Sequence, residues 1–408
     1  MVPWGERLGY RYKKPRWAIL ARVADTAFLP LGRLIRANAL RNMRGKSFER
    51  ILVIRLDHIG DLLCSFPAIR ALRHKFSDAH ISLLVGPWCY ELSKLNIDVD
   101  EVIVYRAPWF DRRSTNKNPF KSLTSLLAGA ITLRRKHFDL AVDLRGDLRN
   151  ILLMALSRIP VRVGYSDVGC GFLLTHPLKR NRWQHETLRS LAVVRALGCE
   201  GEAEIKLSVS RSALQSVLAL LQSSGVVDAS LLIVVHPFGG NRAKWWTSNE
   251  VVRVCKYLYE AFGASVILTG ANEERPAIES ARLSSGNVAV NFAGKLSLQE
   301  LIALIALADG VITTDTCTMH FAAALGTPQV VLFSSQVHPV EWAPIQGEYV
   351  LLHFPPACAG CELPTCPLPN HPCMSAIKAE HVIDALEKLM PLMLERAERR
   401  KGALPTLR

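Results

Sequence analysis

Long apolar runs are missing from this 408-residue chain. No stretch reaches the roughly 18 apolar residues that a membrane-spanning helix needs. Short-period repeats and low-complexity tracts are absent too, which argues against solenoids, propellers and disordered arrays. No aromatic-rich basic strand and no recognition helix stands out, which weakens the case for a nucleic-acid-binding module. Acidic residues are scarce at the start. Residues 1–50 carry twelve Lys/Arg against three Asp/Glu, so this segment supplies +9 of the chain's +14 net charge. The basic excess belongs to an arm, and the remaining residues carry only +5.

What is present suits a large enzyme-sized body. The chain is 49% hydrophobic and 21% charged, enough to bury a sizeable core in two or three domains of ordinary size. In the arm (1–48), Trp17, Leu20, Ala21, Ala24, Phe28 and Leu31 recur at helical spacing among Arg16, Arg22, Arg33 and Arg36. This pattern fits a helix on an anionic membrane surface, or a solvated extension packing one face on the body. Arg22, Asp25 and Pro30 interrupt its apolar run, unlike a secretory signal. The expected location is the cytoplasm, at the inner face of a membrane. Six of the ten cysteines (Cys64, Cys89, Cys170, Cys199, Cys255 and Cys317) are scattered and read as buried thiols.

From residue 49 the chain alternates apolar strands with amphipathic helices. Strands are expected at 50–56, 81–85, 101–105 and 140–144, with helices at 62–76 and 121–136. The same grammar restarts at 231, with strands at 231–235, 265–269, 288–291, 310–313 and 329–333. Helices at 248–262, 274–283 and 298–307 separate them, and a small-residue helix starts near Thr316. The fold class is therefore α/β, with two doubly wound parallel-sheet domains, at 49–210 and 231–378, facing a cleft. Residues 211–230 read as a linker made of a helix and a Ser/Gly-containing break, and 379–408 as a terminal helix with a basic tail.

In open parallel sheets, ligands lie beyond the carboxyl ends of the strands, so the turns there carry the candidates. After the first strand comes Asp57-His-Ile-Gly-Asp61. Gly60 allows a tight turn, and Asp61 is either a helix N-cap or a carboxylate placed to take a proton. In the second half, Gly239 and Gly240 permit close backbone approach, and Arg242 and Lys244 supply the charge that a leaving diphosphate needs. Glu273 and Glu274 read either as a solvated helix start or as acceptors of hydrogen bonds from a ribose. Asp315, Thr316, Cys317, Thr318 and His320 surround a helix start whose free N–H groups suit a phosphate. Asp98-Val-Asp100 has the spacing of a metal pair but precedes a strand, so it reads as surface acid, and no divalent metal or other cofactor is expected.

These pieces together resemble the bacterial ADP-heptose:lipopolysaccharide heptosyltransferases, glycosyltransferases of GT-B architecture, over roughly residues 50–390. The resemblance rests on Ile54-Arg-Leu-Asp-His-Ile-Gly-Asp-Leu-Leu63 with Pro67, on Phe138-Asp-Leu-Ala-Val-Asp-Leu-Arg-Gly146 and on Lys244-Trp-Trp246. Leu268-Thr-Gly-Ala271 with Glu273-Glu274, Phe292-Ala-Gly-Lys295 and Asp315-Thr-Cys-Thr-Met-His320 through Pro328 complete it. It implies Asp61 as catalytic base, Lys244 as phosphate contact, Glu273 or Glu274 on the ribose, and Asp315, Thr316 and His320 in the nucleotide-sugar loop. Cys317 and Thr318 stand where glycine and proline are frequent, and Asp57 where serine is frequent. The implied reaction is an inverting, metal-independent transfer from an ADP-linked sugar to an anionic glycolipid of the lipopolysaccharide core. Candidate acceptor contacts are Asp57, Gly60, Arg112, Arg113, Arg145, Arg149, Lys179, Arg180 and Arg182.

Cys358, Cys361, Cys366 and Cys373 crowd one proline-rich loop at a spacing open to a structural zinc site, to reduced thiols or to a disulfide. With a pI near 9.5, the zinc alternative supports a rival reading as a zinc-containing nucleic-acid-binding protein. The concentration of charge in the arm argues against that rival.

Overall fold

The computed structural model describes residues 9–12, 14–43, 47–111, 119–181, 183–226 and 229–407. The chain divides into two compact units, Met1–Ala203 and Glu204–Arg408.

The first unit is built on a six-stranded, all-parallel sheet in the order β3-β2-β1-β4-β5-β6. Its strands are β1 (Arg50–Arg55), β2 (His80–Val85), β3 (Glu101–Val104), β4 (Leu140–Asp143), β5 (Val161–Tyr165) and β6 (His176–Leu178). β1 and β4 are buried along nearly their whole length, as expected of strands covered on both faces. The arm forms α1 (Pro15–Ala27) and α2 (Leu29–Met43); α3 (Ile59–Leu63) and α4 (Phe66–Lys75) follow β1. Further along lie α5 (Pro119–Arg134), α6 (Leu148–Leu156) and α7 (Glu186–Arg195). The helix expected at 62–76 is broken at Ser65, because Pro67 occupies the start of a new helix, where its missing N–H costs nothing.

The arm docks through small residues. Ala18 is fully buried, and Gly32 comes so close to Phe172 that an added Cβ would sit 3.0 Å from its carbonyl oxygen. Phe28 stacks on Phe172 at 5.0 Å. Tyr10 donates to Asp25 and Tyr12 to the Val168 carbonyl. The opposite side of the arm leaves Trp17, Leu20, Val23 and Leu34 in solvent.

The second unit repeats the plan in the order β12-β11-β10-β7-β8-β9, again all parallel. Its strands are β7 (Leu232–His236), β8 (Ser265–Leu268), β9 (Ala289–Asn291), β10 (Gly310–Thr314), β11 (Gln329–Leu332) and β12 (Tyr349–Leu352). Its helices are α8 (Arg211–Ser223), α9 (Ser248–Phe262), α10 (Arg275–Ser284), α11 (Leu298–Leu307), α12 (Cys317–Ala324) and α13 (Ala379–Leu407). The helix expected within the linker segment 211–230 is α8. Ser210 caps it, and its buried Ala213, Val217 and Leu221 face α11, so the unit boundary falls earlier, at 203/204. Among the described residues no helix is long and apolar enough to cross a membrane.

In each sheet the strand that comes first in the chain sits centrally and the order diverges from it: β1 lies between β2 and β4, and β7 lies between β8 and β10. These switch points open crevices at the strands' carboxyl ends, the places where open α/β sheets hold ligands.

Candidate active site

At the first switch point, Arg55 ends β1 inside the protein, fully buried. An unpaired cation there would be very costly. Arg55 is paired with three carboxylates: Nε lies 2.9 Å from Asp57 Oδ1, and the terminal nitrogens lie 2.8 Å from Glu186 Oε1 and 3.4 Å from Asp61 Oδ1. It also donates to the Leu144 carbonyl at 2.9 Å. Arg145, from the turn after β4, reaches the other oxygen of Asp57 at 2.7 Å. Glu186 at the start of α7 is shared with Arg189 at 3.2 Å. Trp88 donates its indole N–H to the Asp57 carbonyl.

This network drives its two aspartates apart. Burial alone would raise the Asp57 carboxyl, but Arg55, Arg145 and its hydrogen bonds outweigh burial and hold it low. Asp61 goes the other way. Burial, then repulsion from Asp57, pushes its carboxyl up to about 7 against the pull of Arg55 and Arg145. Its side chain keeps 17% exposure, so it remains open to a reactant. Asp61 is not the helix N-cap that the sequence left open: His58 holds that position, and Asp61 lies in the first turn of α3.

The predicted arginines are distributed unevenly. Arg149 is clamped by both oxygens of Asp147, at 2.7 and 2.6 Å, and lies over Trp109 and Phe110. Arg180 bonds Asp167 at 3.0 Å and the Arg145 carbonyl at 2.6 Å, and stacks over Tyr165. Arg145 lies over Phe110. Arg145, Arg149 and Arg180 therefore share one neighbourhood, while Lys179 is exposed just after the edge strand β6. Arg112, Arg113 and Arg182 lie outside the described residues. Asp98 and Asp100 engage Arg70 and Arg73 of α4.

At the second switch point the turn after β7 meets the turn after β10. Gly239 approaches Thr316 so closely that an added Cβ would lie 2.7 Å from its Cγ2. Lys244 lies 3.0 Å from Asp315 Oδ2 and 2.8 Å from the Asp315 carbonyl. Asp315 is fixed from behind by the N–H and hydroxyl of Ser334, each at 3.2 Å. Thr316 is the N-cap of α12, but its side chain makes no capping bond. The buried Thr318 hydroxyl has no hydrogen-bond partner. The first turn of α12 thus presents an uncapped, anion-seeking end. Burial pushes the Cys317 thiol up to about 11, so it adds no negative charge there at neutral pH. His320 is buried on α12; Gly240 and Arg242 are exposed, with Arg242 over Trp245 at 5.2 Å.

The two glutamate candidates separate. Glu274 is buried and accepts the Ala271 N–H at 2.8 Å; burial raises its carboxyl. Glu273 is exposed. Glu274 also bears electrostatically on Cys317, which places it toward the α12 end.

Cys358, Cys361, Cys366 and Cys373 form no disulfide, and among the described residues no three His, Cys, Asp or Glu side chains gather to hold a metal, so of the three readings left open the reduced thiols fit the structure. The loop instead runs as a strap over the turns of the second site. Pro364 accepts the Ala243 N–H at 3.1 Å, His371 meets the Ala243 carbonyl at 3.0 Å, and Gly360 and Glu362 donate to the Ser335 and Gln336 carbonyls at 2.7 and 3.0 Å. Contacts along its length spread the four cysteines out and leave Cys358 exposed.

Arg55, Glu186, Arg189, Ser334 and Trp88 escaped the sequence reading. Arg55 carried a signal, as the charge inside Ile-Leu-Val-Ile-Arg-Leu. Glu186 carried none, since only folding brings α7 beside β1.

The chain matches glycosyltransferase family 9 (heptosyltransferase) over residues 127–370. It is 26% identical over 343 residues to lipopolysaccharide heptosyltransferase 3 of Escherichia coli K12, covering 81% of this chain and 95% of that one. Its fold is similar to that of a glycosyltransferase family 9 protein from Veillonella parvula, with a TM-score of 0.71, 21% identity and coverage of 86% of this chain and 98% of the other. The ADP-heptose lipopolysaccharide heptosyltransferase II of E. coli superposes with a TM-score of 0.67 at 21% identity, covering 85% of this chain and 99% of that one. The expected GT-B architecture of two parallel-sheet domains is thereby met. With the family match spanning more than half its length, the chain belongs to glycosyltransferase family 9, the heptosyltransferases.

Proposed function

We propose that this enzyme moves a heptose from ADP-heptose to an acidic glycolipid of the lipopolysaccharide inner-core type, with inversion at the anomeric carbon and Asp61 as general base. The observation that carries this reading is the Asp61 carboxyl, half-buried at the β1 switch point and poised near neutrality. A base works best when its pKa lies near the working pH. In the proposed step, Asp61 takes the proton of an acceptor hydroxyl as that oxygen bonds to the anomeric carbon. The bond from that carbon to the β-phosphate oxygen breaks, and its electron pair leaves with ADP. Lys244, Arg242 and the N–H groups at the start of α12 stabilise the departing charge, as preorganised donors do without a metal. Lys244 turns from Asp315 toward the diphosphate. Glu274 is the better ribose partner of the glutamate pair, because it lies inward and toward α12.

On the acceptor side, of the candidate arginines Arg145 bonds Asp57 of the base network and Arg180 bonds the Arg145 carbonyl, and acidic sugars or phosphates would bind beside them. Arg11 joins them: its N–H bonds the Asp167 carbonyl at 2.8 Å, and Arg180 and Arg145 bear on its charge. The basic arm fits the inner leaflet, where such a glycolipid is presented. The donor and acceptor classes are those in the names of the relatives.

The test is a panel of ADP- and UDP-linked sugars with heptose-deficient core acceptors, read by product mass. Gain of one heptose from the ADP donor alone is the expected result. Cys317 and Thr318 beside the expected diphosphate favour one other reading, a different nucleotide-linked sugar. Transfer from such a donor, with none from ADP-heptose, overturns the donor assignment and leaves the family intact.

A further inference from the structure

A helix on the surface of a soluble domain normally turns polar residues outward. α5 does not. Its inner side packs Leu126, Ala130 and Leu133 into the core, each under 7% exposed. Its outer side carries Phe120, Leu123, Leu127 and Ile131, which are 76, 52, 45 and 57% exposed. These four follow one another at three- and four-residue steps, so they form a single row along the helix. The hydroxyls between them are turned away from solvent chemistry: Thr124 bonds the Phe120 and Lys121 carbonyls, and Thr132 bonds the Ala128 carbonyl at 3.0 Å. Hydroxyls folded back on their own helix are compatible with an apolar medium.

The row does not stand alone. α5 packs on α6, α6 on the short turn Gly171–Leu173, and that turn on α2 of the arm. Leu156 at the end of α6 is 44% exposed. The arm adds Trp17, Leu20, Val23 and Leu34. These elements are contiguous within the first unit.

The charges choose the occupant. From residue 119 to 138 there is no Asp or Glu, while Lys121, Arg134 and Arg135 are exposed. From residue 9 to 48 the sole acid is Asp25, which is engaged by Tyr10. Apolar side chains rimmed by cations and free of acids suit anionic lipid headgroups over an acyl boundary. We infer that α5 is a second membrane-contacting element, continuous with the arm, so that the first unit lies on an anionic bilayer along two helical elements. The inference rests on the reading of the arm as membrane-contacting, and extends it to a helix with no basic-arm signature.

The test uses the full-length protein and vesicles of phosphatidylglycerol with phosphatidylethanolamine, with phosphatidylcholine vesicles as the neutral comparison. Triple variants remove each row: Leu123→Gln/Leu127→Gln/Ile131→Gln for α5, and Trp17→Gln/Leu20→Gln/Val23→Gln for the arm. All six side chains are exposed, so melting temperature and transfer to a delipidated, soluble acceptor should stay at wild-type values. Each variant is expected to lose about tenfold in partitioning onto anionic vesicles, and wild-type binding should weaken with salt. Unchanged binding by the α5 variant, with loss in the arm variant, overturns the α5 assignment and keeps the arm reading. Unchanged binding by both overturns both. A wild-type dimer in light scattering that the α5 variant turns into monomer, without any lipid binding, makes the row an interface between copies and also overturns the proposal.

Discussion

At the end of β1 the first sheet gathers Arg55, Asp57, Asp61, Arg145, Glu186 and Arg189 into one network. At the ends of β7 and β10 the second sheet offers one ion pair, Lys244 with Asp315, and otherwise glycine, threonine and an uncapped helix start. The two switch points are topologically alike and chemically opposed. Alternating charges around a half-buried carboxylate set its proton affinity, because each neighbour moves it by a definite sign. A small-residue turn beside free N–H groups does not tune a proton; it admits a large anion. The fold supplies two equivalent crevices, and the side chains divide the labour.

That contrast is broken most sharply by exchanging losses. Asp61→Asn is expected to lower kcat by about 10³-fold, within the usual worth of a general base. ADP should still raise the melting temperature of this variant as it does the wild type. Lys244→Ala is expected to cost roughly 10²-fold in kcat/KM, as removal of one charge-stabilising donor does. Here the ADP-induced shift should shrink markedly. Thermal-shift titrations beside steady-state rates read both. An Asp61→Asn protein that transfers at the wild-type rate removes the base assignment. A Lys244→Ala protein with a full ADP shift removes the division between the sites.

The same contrast explains what the sequence could reveal. The strands that flank both switch points are continuous apolar runs, and their helices follow with clear periodicity, so the doubly wound plan and the loops at its ends are legible. β5 is interrupted by Arg162 and Gly164, β6 is three residues long with Pro177 at its centre, and β12 is an edge strand. β5 and β6 lack the unbroken run that marked the others, while β12, Tyr-Val-Leu-Leu, is apolar but lies partly exposed at the sheet edge. Candidate residues of the second site lie in two local motifs and read directly. The first site is assembled from β1, the turn after β4 and the start of α7, and nothing in Asp57-His-Ile-Gly-Asp61 announces Glu186 as a neighbour. The cysteine spacing left zinc, reduced thiols and a disulfide open for the converse reason: intervals in sequence say nothing of a loop stretched along the surface by backbone hydrogen bonds.

Within the first site, Asp57 sharpens the comparison through pH. As the proposed base, Asp61 has to be ionised to act, so the rate should rise with pH through about 7. Burial is the first cause of that elevation and Asp57 the second. Asp57→Asn removes that repulsion and leaves Asp61 to the pull of Arg55 and Arg145 against burial and the lesser repulsion from Glu186. The acid limb of kcat/KM should then move to lower pH without reaching the ordinary carboxylate range, since burial persists. A limb that stays in place, or moves to higher pH, shows that Asp57 does not act on the base.

The smallest effect is one of stability. Asp61 has a folded-state pKa raised from the ordinary 3.8 to about 7. A raised carboxyl favours the folded state when protonated, so its contribution is fully present below about pH 4 and is lost as pH rises through about 7. Above that point the ionised, half-buried Asp61 is a standing cost to the fold. Asp61→Asn removes it, and should stabilise the protein by roughly 2 kcal/mol at pH 8, a figure reduced for the residual exposure of the carboxylate. The gain should fade as the pH is lowered toward 4, in denaturant melts of wild type and variant at matched pH. A residue whose loss abolishes transfer while strengthening the fold at working pH is held there at the expense of stability. An Asp61→Asn protein less stable than wild type at pH 8 would mean that the network needs the Asp61 charge to hold Arg55, and that its elevation is not the state in which the enzyme works.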